Sequence, residues 1–158
     1  MRHCSSCGYY HGQSVGVHDG DTLTILTPAK DSIKVRLHGI DAPESKQAFG
    51  SRSKQELSAL AFGKQVTVEV MDKDRYGRTV GRVFVGTMDV NVEMVRRGFA
   101  WWYRSYAKKD MELSAAEAAA KGSRRGLWAD KDPIAPWDWR ENESKARRNS
   151  GARCTTGV

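Results

Sequence analysis

Residues 14–37 read SVGVHDGDTLTILTPAKDSIKVRL. Apolar residues recur at alternate positions in three short runs: Val15 and Val17, Leu23 and Ile25, then Ile33, Val35 and Leu37. A period of two is that of a half-buried strand, because successive side chains leave opposite faces. Asp19-Gly20-Asp21 and the stretch from Pro28 to Asp31 divide the runs with residues that favour turns, so the segment predicts a three-stranded antiparallel meander.

Working outward, Ser51 to Ala61 reads as a helix with Leu57, Leu60 and Ala61 on one face, and Gly63 stands where a left-handed cap is wanted. Val66, Val68 and Val70 alternate cleanly as a fourth strand, and Thr79 to Val85 is rich in β-formers after the Tyr76-Gly77 break. Asn91 is expected to cap a short helix that Gly98 stops, and Asp110 to Lys121 is an alanine-rich third helix. The order βββαββαα is the connectivity of an OB-type barrel, so the expected class is α+β: a five-stranded OB-type Greek-key β-barrel with three α-helices. Trp128, Trp137 and Trp139, spaced among prolines, are expected to lay indoles on the body, with base stacking as the other use of such rings. Residues 141–158 are polar and without pattern, which predicts a disordered basic tail after a domain over 14–140, with a flexible segment over 1–13 before it.

A chain of 158 residues is expected to form one core. Its formal net charge of +7 favours polyanions such as nucleic acid or an anionic membrane. No apolar run approaches the roughly 20 residues a spanning helix needs, and residues 1–20 contain no signal-peptide core, so no membrane role is expected. Cys4, Cys7 and Cys154 lie near the ends, outside the patterned body, so the fold does not depend on disulfides. His3, Cys4, Cys7 and His11 supply half of a zinc pattern with no second half to complete it; an oxidisable end is the alternative.

Three segments place acids and arginines at turns beside strands: Asp19-Gly20-Asp21-Thr22, the run from Arg36 through Asp41-Ala42-Pro43-Glu44, and Asp74-Arg75-Tyr76-Gly77-Arg78. Each alone is an ordinary turn. Together and in this order they resemble the staphylococcal nuclease (thermonuclease) family, from about Val15 to Arg140. Gly98-Phe99-Ala100-Trp101, Ala116-Glu117, Gly126-Leu127-Trp128 and Pro136-Trp137 extend the likeness.

The resemblance implies a calcium-dependent endonuclease that hydrolyses DNA and RNA by water attack on phosphorus, leaving 3′-phosphate and 5′-hydroxyl ends. It implies Asp21, Asp41 and the Ala42 carbonyl as ligands of Ca²⁺, with Asp19 nearby in the outer shell. A hard cation does prefer such oxygen donors. Glu44 is implied as general base, and Arg36 and Arg78 as the two guanidiniums that grip the scissile phosphate with planar, paired donors. Arg75, Tyr76, Tyr103 and Tyr106 are implied in substrate binding, with rim packing as the other reading of Tyr103 and Tyr106. Aromatic faces stack on any base, which predicts a preference for single strands. A monomer is expected; family members are often secreted or periplasmic, although no signal peptide is visible at this N-terminus. The alternative is a non-catalytic nucleic-acid-binding module on the same barrel, which typically lacks the acids or arginines retained here.

Overall fold

Tyr9–Asp19 (β1), Thr22–Leu26 (β2) and Ser32–Leu37 (β3) form the expected meander in the computed structural model, which describes residues 8–153. Gln65–Lys73 (β5) lies antiparallel to both β1 and Thr79–Val85 (β6). β6 then runs parallel to β3 through Val35↔Thr79, Arg36↔Val80 and Leu37↔Gly81, closing the five strands into a barrel. This is the OB-type α+β fold. Two-residue strands complete the sheets: Ile40–Asp41 (β4) pairs with Trp101–Trp102 (β8), and Met88–Asp89 (β7) pairs antiparallel with the end of β6.

Leu23, Ile25, Val35, Leu37, Val68 and Val83 fill the interior, and they are the alternate positions of their strands. Gly50–Ala61 (α1) adds Leu57, and Val90–Arg96 (α2) adds Val90, Met94 and Val95 to the same core. At the β1–β2 turn Gly20 passes so close to α1 that a Cβ would lie 1.8 Å from Ser53 Oγ. That contact seats the turn bearing Asp19 and Asp21 on the helix.

Four details differ from the pattern-based expectation. Strand β1 begins at Tyr9, and its phase is inverted: Gly12 and Ser14 are buried while Val15 is 45% exposed. The cause at Gly12 is steric, since a Cβ there would meet Leu26 O at 2.5 Å, and a register shift between Ser14 and Gly16 then breaks the alternation. The cap of α2 is Asp89, whose carboxylate accepts the Val92 N–H, whereas Asn91 lies inside the helix, fully buried. Asn91 instead accepts the Val83 N–H and donates to His38 O and Gly81 O, tying α2 to β6 and the end of β3.

The fourth difference is at the C-terminal side. After Met111–Gly122 (α3) and a 3₁₀ turn at Gly126–Ala129, a fourth helix, Pro136–Arg153 (α4), takes in most of the expected loose tail. From Ser144 to Gly151 it is exposed on all sides, which is why no periodicity betrays it. Local pairs support it: Lys145 Nζ lies 2.9 Å from Glu141 Oε1, one turn away, and Ser150 Oγ donates to Ala146 O. No described helix is long and apolar enough to cross a membrane. Cys4, Cys7, Cys154 and His3 lie outside the described residues; His11 sits in β1 with Nδ1 3.2 Å from Thr67 Oγ1.

Candidate active site

The sharp β1–β2 turn presents two aspartates, with Asp19 Oδ1 accepting the Asp21 N–H in an Asx-type turn. β3 delivers Arg36 on the face opposite its buried neighbours Val35 and Leu37. β4 follows after the turn at Gly39 and carries Asp41 to the same point, almost wholly buried. Here the chain closes the pair: the Ala42 N–H donates to Asp21 Oδ2 at 2.9 Å, bridging 21 residues.

Arg36 lies between the two acids, with Nη1 3.4 Å from Asp21 Oδ2 and Nη2 3.5 Å from Asp41 Oδ1. Its Nη1 also donates to Leu37 O, which fixes the plane of the guanidinium. Glu44 stands on the following turn, where its N–H donates to Gln47 Oε1 and Gln47 Nε2 donates to Ile134 O at 2.6 Å. Thus Asp21, Asp41, Ala42, Arg36 and Glu44 belong to one neighbourhood.

A residue from the far end of the chain also enters it. Arg140 of α4 donates from Nη2 to Asp41 Oδ2 at 2.6 Å, and from Nη1 to Asp41 Oδ1 at 3.2 Å and Glu44 Oε1 at 2.8 Å. The sequence held one weak signal for it, an arginine directly after an indole and shortly after two prolines.

Packing these charges together sets their protonation. Burial opposes a charge on Asp21, yet Arg36 and hydrogen bonds from Asp19, the Ala42 N–H and Thr22 hold its carboxyl below the usual carboxylate range. Burial, and then the neighbouring Asp21, push Asp19 up to about 7, so the two share a proton near neutrality. Burial also raises Asp41, with Asp21 adding to the rise and Arg140 and Arg36 opposing it. Carboxylates forced together at such a cost suit a cation. The donor set is all oxygen, which matches a hard divalent ion rather than zinc. Among the described residues no group of three or more His, Cys, Asp or Glu forms a ready-made cage, so an ion here would rest on Asp21, Asp41, a carbonyl and water.

Arg78 comes from a different construction. β3–β6 pairing sets Val80 beside Arg36, and Arg78 lies two residues earlier, on the turn that leads into β6. Its Nε donates to Asp74 Oδ2 at 2.5 Å, while Asp74 Oδ1 accepts the Tyr76 and Arg78 N–H groups. Both Arg75 and Arg78 lie over the Tyr76 ring, at 5.2 and 5.8 Å from its centroid, and Tyr76 itself is 70% exposed. Tyr106, equally exposed, lines an open cleft of about 720 Å³ with His38, Lys108 and Lys109. Arg82 lines it too, but pairs with Asp89 and Asp110. Tyr103 turns inward, its ring stacked 5.2 Å from Trp137. Trp101 meets Trp128 and Trp137 edge-on, so those indoles pack on the body.

Comparison with known proteins places the chain beside nucleases. The sequence profile of the family described as "Staphylococcal nuclease homologue" matches residues 34–130. A Haemophilus influenzae protein described as an uncharacterized endonuclease is 50% identical over 130 residues, covering 82% of this chain and 72% of that protein. "Protein ParB" of Escherichia coli is 43% identical over 150 residues, with 89% and 84% covered. The "Micrococcal nuclease" of Shigella flexneri is 41% identical over 147 residues, with 87% and 84% covered.

Proposed function

The chain belongs to the staphylococcal nuclease family, and from that premise we propose that it is a calcium-dependent endonuclease hydrolysing phosphodiester bonds of DNA and RNA. The observation that carries this reading is the convergence of Asp21 and Asp41 on Arg36, at 3.4 and 3.5 Å. A cation site and a phosphate-gripping guanidinium side by side are what the chemistry requires. Nucleases named among the relatives support the activity class.

Asp21, Asp41 and the Ala42 carbonyl would hold Ca²⁺, with Asp19 reaching it through water. The bound ion would supply Lewis-acid stabilisation of charge on the phosphate. Arg36 turns its donors from the aspartates toward the phosphate oxygens, and Arg78 exchanges Asp74 for the same group. Planar forks match phosphate geometry, which a lysine does not reproduce. Glu44 takes a proton from water as its oxygen bonds to phosphorus. The P–O5′ bond then breaks, the 5′ oxygen takes a proton from solvent water and Glu44 returns its own to solvent, leaving a 5′-hydroxyl and a 3′-phosphate. Enzymes acting on phosphate esters must lower the barrier by up to ~20 kcal/mol, so several preorganised groups are needed.

Exposed Tyr76 and Tyr106 offer faces to unpaired bases, which supports a preference for single strands. The protein would act as a monomer. The test is incubation of purified protein with end-labelled single-stranded DNA and RNA, with Ca²⁺ or with chelator. Calcium-dependent fragments bearing 3′-phosphates are expected. Binding of the labelled strand without any cleavage would instead select the non-catalytic module.

A further inference from the structure

We propose that Arg140 is a positioning residue of the hydrolytic site, fixing Glu44 relative to Asp41, which makes α4 a working part of that site. The inference rests on the reading of Glu44 as the group that activates water.

Glu44 needs such help. It lies on a turn, its side chain about a third exposed at 35%, and Arg140 Nη1 is the side-chain hydrogen-bond partner of its carboxylate among the described residues. A glutamate on an open turn samples several rotamers, and ordering it costs conformational entropy. The same Nη1 bonds Asp41 Oδ1 while Nη2 bonds Asp41 Oδ2, so one rigid plane spans both acids. Asp41 is itself immobile, with its side chain 1% exposed and its strand paired to β8. The guanidinium therefore transfers the fixed position of Asp41 to Glu44.

The base of Arg140 is also anchored to that strand. Trp101 is the register partner of Asp41, and Trp137, three residues before Arg140, packs against Trp101 at 5.6 Å and stacks on Tyr103. Gln47 adds a second tie by joining the Glu44 N–H to Ile134 O, just before α4. The Glu44 turn and the start of α4 are thus bound through side chain and main chain alike. Lysine at 140 would keep a charge but lose the fork that reaches two carboxylates in one plane.

The experiment uses the full chain with Arg140→Ala, Arg140→Lys and, as a control two turns along α4, Arg147→Ala. On single-stranded DNA at saturating Ca²⁺, Arg140→Ala should lower kcat about 100-fold with KM within about threefold, the loss expected for a misplaced reacting group. Arg140→Lys should recover little, millimolar guanidinium should restore part of the Arg140→Ala rate, and Arg147→Ala should match wild type. Melting in chelator supplies a reading independent of turnover: the midpoint loss from Arg140→Ala should shrink when Glu44 is already Ala, as for groups in direct contact. Unchanged or faster turnover by Arg140→Ala, or full recovery with lysine, overturns the role of Arg140 while leaving the nuclease reading intact. Additive melting losses overturn it too. A wild-type protein without cleavage removes the reading of Glu44 on which the proposal rests.

Discussion

The Asp21–Arg36–Asp41 cluster and the Asp74–Arg78 turn are held in opposite ways. In the first, each acid is buried and tied across the fold: Asp21 by the Ala42 N–H, Asp41 by strand pairing and Arg140. In the second, Asp74 binds, among the described residues, only those of its own turn, and Tyr76 stands in solvent. On the function proposed above, the difference is a division of labour. Buried like charges are costly and would be held ready for a cation by the fold. A turn with local, partly wet contacts would trade internal partners for a substrate phosphate.

Substitutions should separate the two regions. Asp41→Asn is expected to have the largest effect, removing cleavage at any attainable Ca²⁺ concentration while circular dichroism remains native. Arg78→Ala should lower kcat by on the order of 10² to 10³, as when a donor to a developing charge is removed. Asp74→Ala should cost only about tenfold in kcat/KM, because Arg78 stays present and loses only its orientation. Equal losses for Asp74→Ala and Arg78→Ala in steady-state assays would mean that the turn is preorganised to the same degree as the buried cluster. Tyr76→Ala should raise KM for single-stranded DNA about fivefold with kcat unchanged, the lower end of a stacking contribution.

Protonation gives the smallest expected effect and is read at Asp19 beside the buried pair. Asp19 is raised from 3.8 to about 7, so the folded protein holds an extra proton between those values. Stability from this group is complete below the unfolded value and lost as pH rises to about 7. In chelator, the melting midpoint of wild type should therefore decline between pH 4 and 7 relative to Asp19→Asn. A flat difference between the two proteins would show that Asp19 and Asp21 do not share a proton.

Much of this was legible in the residues. Leu23, Ile25, Val35 and Leu37 signalled strands because their faces do point inward. Asp21, Arg36 and Asp41 were recognisable because turn residues at strand ends are local in sequence and together form a family pattern. β1 hid its phase, since Gly12 and Ser14 take the inner positions and Val15 the outer one for reasons of close packing. Arg140 was hidden more deeply. Its partners are 96 and 99 residues away, and α4 has no apolar stripe to announce a helix. Asp74 read as an ordinary turn residue, and nothing local declares that its carboxylate holds Arg78.

Calorimetric titration of the nucleic-acid-free protein with Ca²⁺ tests the central claim most directly, that Asp21 and Asp41 converge to hold one hard cation beside Arg36. One ion per chain should bind to wild type, and Asp21→Asn combined with Asp41→Asn should abolish that binding in a protein that still melts cooperatively. Calcium binding of undiminished affinity and stoichiometry in the double variant would contradict it.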